Sequence, residues 1–125
     1  MELIEFLDKA EVEIIRLVEN AGYRIEENTH LCSISENYVG FLNKIEKEII
    51  ICTSNAKKRE GYTLLRKKNK DIFDRTALHI KKALRHEAVH VAQLFLYVRL
   101  SFHKYPYFFF FEAYSLLSFL RYLYI

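Results

Sequence analysis

Between residues 2 and 21, apolar side chains recur at positions 3, 4, 7, 10, 14, 15, 17 and 18 with charged residues among them. Spacings of three and four place those side chains on one face of a helix, so the pattern predicts a surface helix over 2–21, closed by Gly22. The period is lost over 23–37, where Asn28, Thr29, Ser33, Ser35 and Asn37 punctuate a loop with room for one short strand. Two runs rich in β-branched and aromatic residues follow, at 38–42 and 48–53, separated by a stretch of hairpin length. A two- or three-stranded antiparallel sheet is the expectation.

Ser54 or Asn55 can cap a short helix running to about Leu65, weakened in its middle by Gly61. From Asp71 to about Phe102 neither Gly nor Pro interrupts a run of strong helix formers, which predicts the longest helix of the chain over 71–102. Its first half carries Asp74, Arg75, Lys81, Lys82 and Arg85, whereas the residues from Ala88 to Val98 carry no charge. A helix apolar all round is packed on all sides, so this second half is expected to form the core. Pro106 breaks the pattern, and an aromatic-rich segment whose only charged residues are Glu112 and Arg121 predicts a last helix over 108–124. The expected fold class is α+β: mainly helical, with a small antiparallel hairpin or sheet, a long central helix and a C-terminal helix.

A length of 125 residues, 51% hydrophobic and 28% charged, fits one ordered domain spanning 1–125 and excludes a disordered chain. The net charge of +3 implies no particular partner, and oligomeric state cannot be read. Cys32 and Cys52 are too few for a disulfide scaffold and fit reduced thiols in a cytoplasmic, reducing compartment. The acidic start at Glu2 and Glu5 does not read as a secretory signal.

The chemistry concentrates in the middle of the long helix. His86-Glu87-Ala88-Val89-His90 is an HExxH pattern, which sets two imidazoles one turn apart on a helix face where both can reach one metal ion. Glu87, about 100° round the helix, is left free to act on water as a general base. Five residues match such a pattern by chance too readily to stand alone, so context decides. A catalytic zinc takes three protein ligands, including sets of two His and one Glu. Glu112 is the only acidic residue after Glu87, and it lies in an otherwise apolar run where an unpaired carboxylate is costly. The alternative is that Glu112 sits at the amino end of the last helix, where the dipole favours an acid.

His86-Glu87-Ala88-Val89-His90 with the downstream Glu112-Ala113-Tyr114 resembles the gluzincin class of zinc metallopeptidases, and especially small, minimal HExxH proteins carrying the string HEAVHVAQ. The resemblance covers about 75–118 and implies a minimal zincin-like fold, Zn2+ as cofactor, His86, His90 and Glu112 as ligands and Glu87 as the base. It implies hydrolysis of a peptide or protein substrate. Such proteins often carry an acid four residues after the third ligand, but here Leu116 stands there.

Candidates for oxyanion stabilisation or support of the ligands are Gln93, Tyr114 and His103, with Tyr97 and His79 further from the metal along the helix. Strand 48–53 is the expected neighbour of the site, offering an edge to an extended substrate. Three other readings compete. The stretch 57–70, with seven Lys or Arg against one Glu, suits a nucleic-acid surface or simply a solvated face. Residues 105–125 approach the length of a membrane helix, but Glu112 argues against a span. A non-catalytic metal-binding or scaffold protein is the last, against which Glu87 stands, because metal binding alone does not require it.

Overall fold

A computed structural model describes residues 2–63 and 69–101, with side chains up to residue 95. The last helix expected over 108–124, and with it His103, Glu112 and Tyr114, lies outside the described residues.

The described chain is α+β and mostly helical. A short 3-10 helix, Glu2–Phe6, precedes α1, Lys9–Asn20. Strand β1 is Arg24–Glu27, α2 is His30–Ile34, β2 is Gly40–Asn43 and β3 is Glu48–Ile51. Helix α3 is Thr53–Glu60, and α4 is Lys70–Ser101. No described helix is long and apolar enough to cross a membrane.

The amino-terminal segment is not one helix, because Asp8 takes an extended conformation at φ −91° and ψ 176°. Tertiary contact explains the break. Leu3 and Phe6 turn inward to full burial, with Phe6 stacked on Phe73 at 5.0 Å between ring centroids. Asp8 receives Lys81 Nζ at 2.5 Å. Helix α3 also departs from expectation and ends at Glu60, where Gly61 adopts a left-handed φ of 63° and Tyr62 N–H bonds back to the Lys57 carbonyl at 2.9 Å. Glycine reaches that conformation at no steric cost, so it ends the helix where the sequence pattern placed it in the middle.

The sheet has the order β1-β3-β2. Strands β2 and β3 form the expected antiparallel hairpin, with Phe41 opposite Ile50. Asn43 Oδ1 shapes its turn by accepting from the N–H groups of Ile45 and Glu46 at 3.2 and 3.1 Å. Strand β1, however, joins β3 in parallel, with Ile25 opposite Ile49, so the sheet is mixed rather than antiparallel. The strand taken from 48–53 is thus the central one, while β1 and β2 are the edges of the described sheet.

Alternation along β3 divides the core. Ile49 and Ile51 join Ile14, Val18, Ile80, Leu84, Ala88 and Val91 between the sheet and helices α1 and α4. Ile50 faces the other way, toward Cys32, Cys52, Leu31 and Phe41, beneath α2. Here the structure corrects the reading of the cysteines. They are not reduced thiols: Cys32 and Cys52 form a disulfide, their Cα atoms 5.6 Å apart. Cys32 lies within α2 and Cys52 directly follows β3, so the face that α2 covers brings them within bonding range despite a sequence separation of 20. The premise for a reducing compartment falls with that bond.

Candidate functional site

Helix α4 is amphipathic along its described length. Ile72, Thr76, Ile80, Leu84, Ala88 and Val91 recur every three or four residues and are buried. The opposite face carries His79, Lys82, Ala83, His86 and His90 along a cleft of about 900 Å³. The uncharged half from Ala88 was expected to be enclosed on every side, but Gln93 is exposed and His90 is half-buried. Absence of formal charge did not distinguish a core helix from one that keeps imidazole and amide groups on an open face.

The far wall of the cleft is β2 with the residues leading into it, and Arg59 and Lys44 stand at its margins. The edge strand beside the motif is therefore β2, not the 48–53 strand. Contact is close because Gly40 has no side chain. A Cβ there would come within 3.2 Å of Ala83 Cβ and 3.3 Å of Glu87 Cγ. Asn55 holds the approach to β2, its buried Nδ2 donating to the carbonyls of Cys32 and Tyr38 at 3.0 and 2.8 Å.

The two motif histidines converge. His86 Nε2 and His90 Nε2 lie 3.2 Å apart, with the rings edge to face at 4.8 Å between centroids. His90 Nδ1 lies 3.3 Å from Gln93 Oε1. A carboxamide oxygen only accepts, so this contact favours the tautomer with the proton on Nδ1 and a lone pair on Nε2. On the core side, Arg85 NH2 donates to Glu11 Oε2 at 2.8 Å, and Glu11 is 3% exposed. That pair ties α1 to the residue just before His86.

Glu87 is 8% exposed and makes no hydrogen bond or ion pair with another described residue. Burial pushes its carboxyl above the ordinary value, while the imidazoles of His86 and His90 pull it down. His79 is engaged elsewhere: its Nε2 meets Glu60 Oε1 at 2.9 Å, and Arg75 Nε meets Glu60 Oε2 at 3.2 Å. Tyr97 lies on α4, but its side chain is outside those described.

The resemblance to gluzincins is overturned. Among the described residues no three side chains of His, Cys, Asp or Glu form a group able to hold a metal ion. The cause is local: beside the histidine pair the cleft presents Ala83, Gly40 and Lys82, and its one carboxylate, Glu87, is packed beneath β2. Three residues that shape the cleft escaped the sequence reading. Gly40 carried no signal beyond being a rare glycine in an extended run, Arg59 was hidden in a basic stretch, and Lys82 became legible only with the helix phase relative to His86.

A family model described as "Domain of unknown function (DUF8637)" matches residues 3–96. That span takes in both histidines, Glu87 and Gln93 and stops short of Glu112. No curated protein and no solved structure matches the chain.

Proposed function

We propose that this chain, which belongs to the DUF8637 family, is a zinc-dependent hydrolase acting on peptide bonds, with His86 and His90 as metal ligands and Glu87 as general base. The observation that carries this reading is the convergence of two imidazole nitrogens at 3.2 Å beside a buried carboxylate that has no hydrogen-bond partner among the described residues.

The histidine pair fits the ion. Two ligands of one tetrahedral zinc, at Zn–N of about 2.0–2.1 Å, are about 3.3–3.4 Å apart. Gln93 favours the tautomer of His90 whose Nε2 faces His86 and is free to donate a lone pair. A third ligand has to come from outside the described residues, and Glu112, the only acid after Glu87, is the one to test. A zinc ion held there would supply a Lewis acid and a more acidic water. Glu87 takes the proton from the attacking water and passes it to the leaving amine, a task helped by the raised carboxyl pKa. The free edge of β2 along the cleft offers backbone groups to an extended substrate, which suits a peptide.

The test is elemental analysis of the full chain after exposure to zinc, with hydrolysis of a quenched peptide library measured alongside. One zinc per chain is expected, lost in His86→Ala, His90→Ala and Glu112→Gln. A chain that takes up no stoichiometric zinc overturns the reading. Zinc bound without any hydrolysis leaves the alternative, a non-catalytic metal-binding protein.

A further inference from the structure

The charges that border the cleft are one-sided. Among the described residues, Lys44, Arg59 and Lys82 line it together with His79, His86 and His90, against a single carboxylate, the buried Glu87. The chain as a whole is nearly balanced, with 19 Lys and Arg against 16 Asp and Glu. The imbalance is therefore local. Elsewhere Arg24, Lys57, Lys58, Arg75, Lys81 and Arg85 each meet a carboxylate. Lys44 and Lys82 meet none among the described residues. Arg59 donates to the Asn37 carbonyl, which anchors its guanidinium at the cleft and leaves further N–H groups to offer.

Cations that meet no carboxylate among the described residues, set around one groove, raise its potential and favour an anionic occupant. We propose that the cleft selects an extended peptide segment bearing an acidic side chain, whose carboxylate is bound by Lys82 and Arg59 with Lys44 adding to the field. This inference rests on the hydrolase reading only for cleavage, not for binding. A peptide is favoured over a nucleic acid because one wall is a strand edge, whose backbone groups pair with an extended chain and have no partner in a sugar-phosphate backbone.

Helical spacing also sets the distance. Lys82 precedes His86 by one turn, about 6 Å along the axis, and an extended chain advances about 3.3 Å per residue. The acidic side chain is therefore expected about two residues from the bond that is cut.

The experiment measures binding of fluorescent heptapeptides to the full-length Glu87→Gln chain by anisotropy, with Glu, Gln or Lys at one position. Lys82→Glu, Arg59→Glu and, as a control for net charge, Lys9→Glu are made in the same background. The Glu peptide is expected to bind about tenfold tighter than the Lys peptide, as one charge-assisted hydrogen bond would give. Lys82→Glu and Arg59→Glu should erase that preference, and Lys9→Glu should keep it. Equal binding of all peptides, no binding at all, a preference untouched by Lys82→Glu and Arg59→Glu, or tighter binding of a thymidine oligonucleotide each overturns the proposal. Cleavage of peptides by the unsubstituted chain without charge preference refutes this proposal alone. Binding with the expected preference but no cleavage refutes the hydrolase reading alone.

Discussion

The two faces of α4 are built from the same backbone and obey opposite rules. On one face Ile80, Leu84, Ala88 and Val91 are fully buried against the sheet and α1. On the other, His79, Lys82, His86 and His90 line an open cleft. Changes to the first face are felt through packing, because a void or an overfilled space is not relieved by neighbours already in contact. Changes to the second are felt through chemistry, because solvent can take the place of what is removed. Glu87 belongs to both: it is as inaccessible as a core residue yet ionisable, and Gly40 crosses directly above it.

The largest expected effect lies at that boundary. Glu87→Gln preserves shape and removes the base, so zinc content should stay at wild type while peptide hydrolysis falls by about 10²–10⁴-fold, the usual contribution of a general base. Retained hydrolysis with retained zinc would assign the base elsewhere. Next comes the contrast between the faces. Leu84→Ala should lower unfolding free energy by about 2–5 kcal/mol in urea titrations, whereas His86→Ala, exposed on the cleft, should change the metal-free chain by about 0.5 kcal/mol or less and lose zinc. Equal destabilisation by the two would erase the distinction.

The disulfide gives a similar comparison across the sheet. Cys32→Ser with Cys52→Ser should cost about 3 kcal/mol, as expected for a closed loop of this length. The loss should appear in thermal melts and be reproduced by a dithiol reductant.

The smallest effect is electrostatic. Burial raises the Glu87 carboxyl pKa in the folded chain, so the folded state binds the proton more tightly than the unfolded state. The stability this confers is complete below the ordinary Glu pKa and is lost as pH rises through the folded value. Metal-free Glu87→Gln should therefore melt higher than the unsubstituted chain at pH 7, with the difference shrinking as pH falls toward 4.5 and gone below it. A difference independent of pH would show that Glu87 is not charged there.

Much of the fold was legible where local chemistry is decisive. The period of α1, the uninterrupted run of α4 and the hairpin of β2 and β3 all follow from residue spacing and turn residues. What was misread depended on partners distant in sequence. Leu3 and Phe6 read as part of a continuing helix, but Phe73 and its neighbours draw them inward and Asp8 breaks the turn. Strand β1 carries Arg24, Glu26 and Glu27 around a single apolar Ile25, too weak a pattern to announce a parallel partner. Cys32 and Cys52 look like two unrelated thiols until α2 lies across β3.

The candidate site divides in the same way. By itself the sequence determined that His86, Glu87, His90 and Gln93 occupy fixed angular positions on one helix, because helical geometry follows from the local backbone alone. Only the tertiary structure decided that the histidines open onto a cleft, that β2 rather than β3 forms its wall, and that Arg59 and Lys82 make it cationic. Those outcomes depend on which surfaces lose least by being buried together, a sum over the whole chain that no single stretch contains.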